Sequence, residues 1–249
     1  GHTLREIALE KAGIIKPAVP VIVGPVADEA ADAIRGIATE RGAPLIAAMD
    51  GTSIGPVSST VDGAQSFELR TGARAYGTVR LALAGSPQLT NAIVAVRLLE
   101  EAERCGIPVG GRAIIDALAS VRWPGRLDHR VLPDGTDLLL DAAHNAAGAA
   151  RLAEYLGTLV EKRTLVFSAM RDKDATAMLQ ALLPAVAGVI VTRASNPRAN
   201  EPDVLAHLVH TLAPDQRVDI EERPADAVAR ARKARRPVVV EIGRASCRE

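Results

Sequence analysis

At residues 138–145 the chain reads Leu-Leu-Leu-Asp-Ala-Ala-His-Asn, an apolar run that ends in polar side chains. Three consecutive leucines are typical of a strand buried on both faces, as in a parallel sheet. The Ala- and Leu-rich segment that follows favours a helix, and Asn145 suits its N-cap. Open α/β sheets bind ligands at the carboxyl ends of their strands. Asp141 and His144 are therefore candidate site residues, whereas a purely structural strand end would account for Asn145 alone.

The segments on either side of this stretch predict an α/β protein of two domains. Strands and helices alternate regularly over residues 137–241, which indicates a Rossmann-like domain with a mostly parallel sheet. Residues 20–48 give another strand–helix–strand pattern, residues 51–83 indicate small antiparallel strands, and residues 89–120 indicate two helices. The linker Arg122-Trp123-Pro124-Gly125-Arg126 contains a Pro-Gly pair typical of a turn. We expect the domain boundary between residues 122 and 123.

The composition indicates a globular protein with an aliphatic core. The 249 residues are 48% hydrophobic but only 2% aromatic, and 30 basic residues balance 30 acidic ones. Charge neutrality argues against nucleic-acid binding, and no apolar run reaches the length of a membrane span. Two cysteines give neither a disulfide framework nor a metal-binding spacing. These features predict a cytoplasmic protein without nucleic-acid or membrane partners, and we expect a monomer.

Both ends of the chain are unusual. The chain opens at Gly1-His2, without an initiator Met or a signal peptide, and we expect it to be cut from a longer protein. Residues 242–249 are polar and fit no element of the predicted sheet. This octet resembles the translation of a sequencing-library adapter, so we expect a non-native tail. The alternative is a natural polar tail.

Five separated stretches carry a family resemblance. They are Ile7-Ala-Leu-Glu-Lys-Ala-Gly-Ile-Ile-Lys-Pro17, Asn91 after Gly-Ser-Pro-Gln, Pro124-Gly125-Arg126, the Asp-Ala-Ala-His-Asn of residues 141–145, and the Met-Arg-Asp-Lys-Asp of residues 170–174. In this order and spacing they resemble the bifunctional dihydrofolate synthase/folylpolyglutamate synthase family, a branch of the Mur ligases. The resemblance implies that residues 1–122 are the distal part of a Mur-ligase-type ATPase domain. Residues 123–241 would then be the Rossmann-like C-terminal ligase domain.

The resemblance implies an ATP-dependent ligase that joins L-glutamate to a folate or dihydropteroate carboxylate. In this family the γ-phosphate of ATP passes to the carboxylate, and the amino group of glutamate attacks the resulting acyl phosphate. ATP and Mg²⁺ are the implied cofactors, because cations stabilise charge on a moving phosphoryl group. Two alternatives stay open. One is a Mur ligase of peptidoglycan synthesis acting on a UDP-muramoyl substrate, and the other is a non-catalytic nucleotide-binding module.

The resemblance also assigns roles at the nucleotide. Asn91 matches the residue that contacts adenine, where an amide offers both a donor and an acceptor. Its alternative role is a helix N-cap. Arg126 matches the nucleotide-binding arginine, whose guanidinium fork suits phosphate; the alternative is a solvated linker charge. Asp141 matches an aspartate that accepts from ribose hydroxyls. His144 matches a catalytic histidine beside the nucleotide, with a structural capping histidine as the alternative.

Further candidates lie outside the nucleotide contacts. Lys11 matches a lysine that relatives carbamylate to supply a Mg²⁺ ligand, because Mg²⁺ requires oxygen donors. The alternative is a cation favoured by the dipole at a helix C-terminus. Asp172, Lys173 and Asp174 follow the next strand, and with Arg198 they are candidates for binding glutamate or phosphate. A helix start rich in acidic residues would explain the two aspartates equally well.

Some family features are not present in the sequence. It contains no Gly-rich loop ending in Gly-Lys-Ser/Thr, the motif whose backbone cradles phosphates. The family's Mg²⁺-binding Glu and His, expected before the Lys11 helix, have no counterpart, and His2 does not match either of them. We therefore expect the chain by itself to be inactive as a ligase.

Overall fold

The computed structural model describes residues 3–60, 62–234 and 236–241. The chain divides into two compact units, Gly1–Arg122 and Trp123–Glu249, called units 1 and 2 below. The octet 242–249 and its interpretation as a non-native tail lie outside the described residues. Within those residues, every helix is too short or too polar to cross a membrane.

Unit 1 begins with two helices and a small parallel sheet. The elements are α1 (Leu4–Ala12), β1 (Val21–Val23), α2 (Asp28–Glu40) and β2 (Leu45–Ala47). The predicted capping box starts α1, because the Glu6 amide donates to Thr3 Oγ1 at 3.1 Å. β1 and β2 pair in parallel, with Ile22 opposite Ile46. The strand–helix–strand pattern of the sequence thus forms the predicted parallel pair.

The rest of unit 1 is an antiparallel sheet with two helices. Its elements are β3 (Ser53–Ile54), β4 (Ser58–Ser59), β5 (Gln65–Arg70), β6 (Ala75–Leu81), α3 (Ser86–Arg104) and α4 (Gly111–Ser120). β5 is central and pairs antiparallel with β3, β4 and β6. Alternate residues of β5, Phe67 and Leu69, are buried in one core with Ile93 of α3 and Ile114 of α4. The alternate residues of the strand that point to one side of the sheet thus share a core with one face of each helix.

A buried polar network fastens the β5–β6 hairpin to α3. Glu100 is 3% exposed, and its carboxylate accepts from Thr71 Oγ1 at 2.6 Å, Tyr76 Oη at 2.9 Å and Arg97 Nη1 at 2.6 Å. Burial raises the pKa of the Tyr76 phenol, and its hydrogen bond to Glu100 raises it further. Tyr76 therefore remains a donor, and the buried carboxylate is paired as buried charges must be.

Unit 2 is a six-stranded sheet with helices between its strands. Its elements are β7 (Asp128–Val131), β8 (Asp137–Asp141), α5 (Ala146–Gly157), β9 (Arg163–Phe167), α6 (Ala175–Leu182), a 3₁₀ turn (Leu183–Ala185), β10 (Val186–Val191), α7 (Pro202–Leu212), β11 (Val218–Ile220), α8 (Pro224–Lys233) and β12 (Val238–Glu241). The strand order is β11-β10-β9-β12-β8-β7. All five residues of β9 are buried, as expected of a strand covered on both faces. The mostly parallel α/β sheet predicted from the sequence is confirmed.

Among the described strands of unit 2, only β7 was not indicated by the sequence pattern. It reads Asp-His-Arg-Val and pairs antiparallel with β8 at the edge of the sheet, with Asp128 opposite Leu140. An edge strand with one apolar residue buries little side-chain surface, so it lacks the hydrophobic alternation that predicts strands.

Candidate functional site

The parallel strands of unit 2 bring several polar segments to one edge of the sheet. β8, β9, β10 and β12 run in the same direction, so the loops that follow them lie at the same carboxyl edge. β12 lies between β8 and β9. Strands are spaced about 4.8 Å apart, so the ends of β8 and β9 are separated by roughly 10 Å. This is the edge at which open α/β sheets bind ligands.

Asp141 ends β8 and is half-buried. Its Oδ1 accepts from the Ala143 amide at 2.9 Å, and its Oδ2 accepts from the Leu127 amide at 3.0 Å. Burial raises the pKa of the Asp141 carboxyl above its usual value; these two hydrogen bonds and the charges of Arg126 and His144 offset only part of that rise. The carboxylate therefore has a structural role that the sequence did not predict, in addition to any contact with a ligand.

The turn at residues 123–127, called the Arg126 turn below, is fastened to the end of β8. The Ala142 amide donates to Gly125 O at 2.9 Å, and the Arg126 amide donates to Trp123 O at 3.2 Å. Gly125 and Leu127 both have positive φ angles, +72° and +48°. The turn holds Arg126 close enough to Asp141 for its charge to act on that carboxyl.

His144 and Asn145 follow directly from Asp141. Asn145 is the N-cap of α5, and its Oδ1 accepts from the Gly148 amide at 2.8 Å, as predicted. His144 is half-buried, and its Nδ1 lies 3.3 Å from Ala142 O. A carbonyl oxygen only accepts, so Nδ1 carries the proton in this contact. Arg126 thus lies close to Asp141 and His144, although it was predicted from a separate motif.

The other predicted group is also assembled at this edge. Lys173 Nζ lies 2.8 Å from Asp172, and Arg198 Nη1 lies 3.7 Å from the same carboxylate. The Arg171 amide donates to Arg198 O at 2.8 Å, which ties the loop after β9 to the loop after β10. The hydrogen bond from Lys173 lowers the pKa of the exposed Asp172 carboxyl. Two cations therefore share one carboxylate at the surface.

Asp174 differs from its two predicted neighbours. It is the N-cap of α6, and its Oδ1 accepts from the Ala177 amide at 2.9 Å. This contact fits the helix-start alternative, because a capping aspartate satisfies an otherwise unpaired amide.

A cavity of about 980 Å³ opens beside Asp141 in unit 2. Its apolar floor includes Leu138, Leu140 and Val240. Its polar side chains come from β7 (Arg130), the loop after β10 (Arg193, Ser195 and Asn196), the residues just before α8 (Glu222 and Arg223) and the last turn of α8 (Arg232). None of these polar residues was predicted from the sequence, in which Arg198 was the only candidate in the loop after β10. The long polar loop after β10 was the signal that could have revealed Ser195 and Asn196.

Lys11 and Asn91 both belong to unit 1. Lys11 is exposed in the last turn of α1, which fits the dipole alternative. Asn91 is exposed within α3, and its Nδ2 donates to Gln88 Oε1 at 3.3 Å. The N-cap of α3 is Gly85, so the alternative of Asn91 as an N-cap is wrong. The helix starts earlier than predicted because Ser86 and Pro87 occupy its first turn, where proline is well tolerated.

The fit of Mg²⁺ can be tested on the donors that are present. In the ranges 3–60, 62–234 and 236–241, no three His, Cys, Asp or Glu side chains are grouped so as to hold a metal ion. Asp141 and Asp174 already accept hydrogen bonds from backbone amides, and Asp172 is paired with cations. These side chains do not form a Mg²⁺ site, so the predicted metal role depends on carbamylation of Lys11 alone.

Comparisons with known proteins agree with this arrangement. Residues 125–242 match the family described as Mur ligase, glutamate ligase domain. The dihydrofolate synthase/folylpolyglutamate synthase of Bacillus subtilis is 32% identical over 185 residues, covering 73% of this chain and 42% of the relative. The relative with the same name from Mycobacterium tuberculosis is 33% identical over 170 residues, covering 67% of this chain and 34% of the relative.

Solved structures give the same result over nearly the whole chain. The Mycobacterium tuberculosis folylpolyglutamate synthase complexed with ADP has a TM-score of 0.85 and 29% identity, covering 98% of this chain and 57% of that one. The chain thus spans about half the length of the relatives it matches. Shared fold, shared motifs and sequence identity lead to one conclusion: the chain belongs to the folylpolyglutamate/dihydrofolate synthase family of Mur ligases.

Proposed function

We propose that the protein acts as an ATP-dependent ligase that joins L-glutamate to the carboxylate of a folate or dihydropteroate. The observation that carries this proposal is the grouping of Arg126, Asp141 and His144 at the carboxyl edge of unit 2. The names of the relatives support the folate and glutamate substrates. The ADP complex of the Mycobacterium tuberculosis protein supports a nucleotide.

The proposed reaction has two steps. The γ-phosphoryl group moves from ATP to an oxygen of the substrate carboxylate, which releases ADP and leaves an acyl phosphate. The amino nitrogen of glutamate then attacks the acyl carbon, the bond from that carbon to the phosphate oxygen breaks, and inorganic phosphate and a proton leave. Both steps concentrate negative charge on phosphate oxygens, so they require fixed cationic donors.

Arg126 and His144 supply such donors. A guanidinium forms two parallel hydrogen bonds to a phosphate, which fix both its position and its orientation. The Nδ1 contact of His144 with Ala142 O leaves Nε2 free to face the nucleotide, and in the imidazolium form Nε2 donates to a phosphate oxygen. We assign Asp141 to the ribose hydroxyls and to the shape of the Arg126 turn. Asn91 keeps its proposed contact with adenine.

Lys173 and Arg198 are proposed to bind the carboxylates of L-glutamate. Their shared contact with Asp172 holds both side chains at the carboxyl edge. Asp172 itself holds the two cations in place, and Asp174 acts through the start of α6. The two carboxylates of an incoming glutamate would replace weak surface contacts, because exposed ion pairs contribute little to stability.

Mg²⁺ stabilises the charge of the phosphates when it is bound, and a carbamylated Lys11 is its proposed protein ligand. We also propose a cytoplasmic monomer. The chain has only two cysteines, which suits a reducing compartment, and its basic and acidic residues balance. Light scattering of the purified chain would test the oligomeric state, and a mass of twice the monomer would contradict it.

Nucleotide binding is the first test. Trp123 is the single tryptophan of the chain and lies three residues before Arg126, so its fluorescence can report ADP binding. We expect ADP to change that fluorescence, and we expect Arg126→Ala to weaken ADP binding by about 10- to 150-fold, as for a lost hydrogen bond to a charged group. Arg217→Ala removes an exposed arginine before β11 and serves as the control with unchanged affinity. Equal affinities of all three proteins would contradict the assignment of Arg126.

The chemistry requires a phosphate loop, which the sequence does not contain. A chimaera in which this chain replaces the matched segment of the Bacillus subtilis relative would supply one. We expect ADP release that depends on both a folate-type substrate and glutamate, whereas the chain alone should release none. Release that instead requires a UDP-muramoyl substrate would indicate the peptidoglycan alternative. A chimaera that binds ADP without any substrate-dependent release would indicate a non-catalytic nucleotide-binding module.

A further inference from the structure

We infer that the backbone amide of Leu127 and the carboxylate of Asp141 form a latch that positions Arg126. The Leu127 amide donates to Asp141 Oδ2 at 3.0 Å, immediately after Arg126 in the chain. On the other side of Arg126, Gly125 O accepts from the Ala142 amide at 2.9 Å. Arg126 is therefore held between two hydrogen bonds to the end of β8. Leu127 acts on the ligand through Arg126, as a positioning residue, and Asp141 does so in addition to its proposed contact with the ribose hydroxyls.

The conformation of Leu127 supports this role. Among the described residues other than glycine, only Ala18 and Leu127 have a positive φ angle. A branched side chain rarely adopts the left-handed region, where its Cβ approaches the backbone too closely. Such a conformation persists only when the surrounding structure holds it. The buried Leu127 side chain and the hydrogen bond to Asp141 supply that restraint.

The latch requires a carboxylate because Asp141 accepts hydrogen bonds from two backbone amides at once. Its Oδ1 serves Ala143 and its Oδ2 serves Leu127. An asparagine has one acceptor oxygen, and its amide group would point a donor at the second N–H. Asp141→Asn therefore releases one of the two contacts while preserving size and shape. The inference rests on the proposed function in one respect, namely that Arg126 contacts the nucleotide.

The latch itself can be tested without any nucleotide. Trp123 belongs to the Arg126 turn, its carbonyl accepts from the Arg126 amide, and its side chain is 61% exposed. We expect Asp141→Asn to lower the fluorescence anisotropy of Trp123 and to increase its quenching by acrylamide. Asn145→Ala is the matched control, because it removes the side-chain acceptor of a neighbouring amide, that of Gly148, outside the turn. Trp123 signals that do not differ between these two variants would overturn the latch.

A double-mutant cycle separates positioning from direct contact. If Asp141 positions Arg126, Asp141→Asn should weaken ADP binding about 10-fold in the wild-type background and clearly less in Arg126→Ala, where only its contact with the ribose hydroxyls remains. Fully additive losses would overturn the positioning role, because the whole effect of Asp141→Asn would then be independent of Arg126. A wild-type chain that does not bind ADP would count against the proposed function, whereas the Trp123 measurements would still decide on the latch.

Hydrogen exchange on the wild-type chain gives a test that requires no variant. The Leu127 amide should exchange slowly, because it donates to the half-buried carboxylate of Asp141. The neighbouring Asp128 amide is the internal reference for an edge strand. Exchange of Leu127 at the rate of an exposed loop amide would contradict the latch, even if Asp141→Asn failed to fold.

Discussion

The parallel sheets of the two units differ in how deeply their strands are buried. In unit 2 the central strand β9 is buried along its whole length, and helices lie between successive strands. In unit 1 the parallel sheet has two strands of three residues, and none of these six residues is fully buried. Parallel sheets normally require cover on both faces. In the same unit, Leu4 and Ile7 of α1 and Ile14 just after it are exposed apolar residues.

This difference bears on which site residues are well positioned. Arg126, Asp141 and His144 lie at the edge of the better buried sheet, whereas Lys11 lies on α1, whose only buried residues are Ala8 and Ala12. Catalytic groups need rigid support to hold their geometry. We therefore expect the unit 2 residues to be fixed in this chain, and Lys11 to be the least constrained of the predicted residues.

The largest effect is expected within the antiparallel half of unit 1. Glu100→Ala leaves the buried Arg97 without its carboxylate and removes the acceptor of Thr71 and Tyr76. Breaking a buried pair in this way costs about 3–5 kcal/mol. Hydrogen exchange of the β5–β6 hairpin and α3 would measure the loss. Glu103→Ala removes a partly exposed partner of Arg74 and should cost less than about 1 kcal/mol.

If Glu100→Ala cost no more than Glu103→Ala, the network would not be what holds the hairpin to α3. If the expected loss of stability appears, shallow burial in unit 1 is limited to α1, β1, α2 and β2, and the antiparallel half is well held.

The next effect compares equivalent positions in the two parallel sheets. Leu139, in the middle of β8, is 0% exposed, so Leu139→Ala should cost about 2–5 kcal/mol. Ile22, in the middle of β1, is only half-buried. Ile22→Ala should cost about 1–2 kcal/mol, because part of that side chain already contacts water. Hydrogen exchange resolved by segment would separate the two units, and equal costs would remove the contrast between the sheets.

The sequence predicted unit 2 well because its strands are strongly apolar and its helices begin at clear signals. Asn145 was correctly predicted as the α5 N-cap from its position before an Ala-rich segment. β7 was missed because an edge strand with one apolar residue resembles a loop. The start of α3 was predicted too late because Ser86 and Pro87 were not recognised as its first turn.

The site could be predicted only where one short segment carries its residues. Asp141 and His144 were found together because they are three positions apart, and Arg126 was found through the family resemblance. The cavity beside them is lined by segments that are distant in the chain and meet only in the folded sheet, and its lining includes Arg193 and Arg223. The left-handed conformation of Leu127 could not be predicted, because nothing in its residue type indicates a positive φ angle.

The smallest effect depends on pH and concerns Asp134, which precedes β8, and Asp141, which ends it. The hydrogen bond from Arg232 lowers the pKa of the exposed Asp134 carboxyl to about 2. The folded state therefore holds this proton less tightly than the unfolded state, whose Asp pKa is about 3.9. Asp134 stabilises the fold above that value, and this contribution is lost as the pH falls through about 2. Asp134→Asn should remove it.

Asp141 should behave in the opposite way, because burial raises its pKa. The folded state binds this proton more tightly, so the contribution of Asp141 to stability is greatest below the unfolded pKa of about 3.9 and falls as the pH rises through the folded value. Urea unfolding followed by Trp123 fluorescence would measure both residues against their asparagine variants. We expect the stability of the wild type relative to Asp141→Asn to fall between acidic and neutral pH, and that relative to Asp134→Asn to rise. A rise for both would mean that the two amide hydrogen bonds of Asp141 outweigh its burial. The carboxylate would then stabilise the folded state at neutral pH. The expected fall would instead mean that Asp141 is retained for the site at a cost in stability.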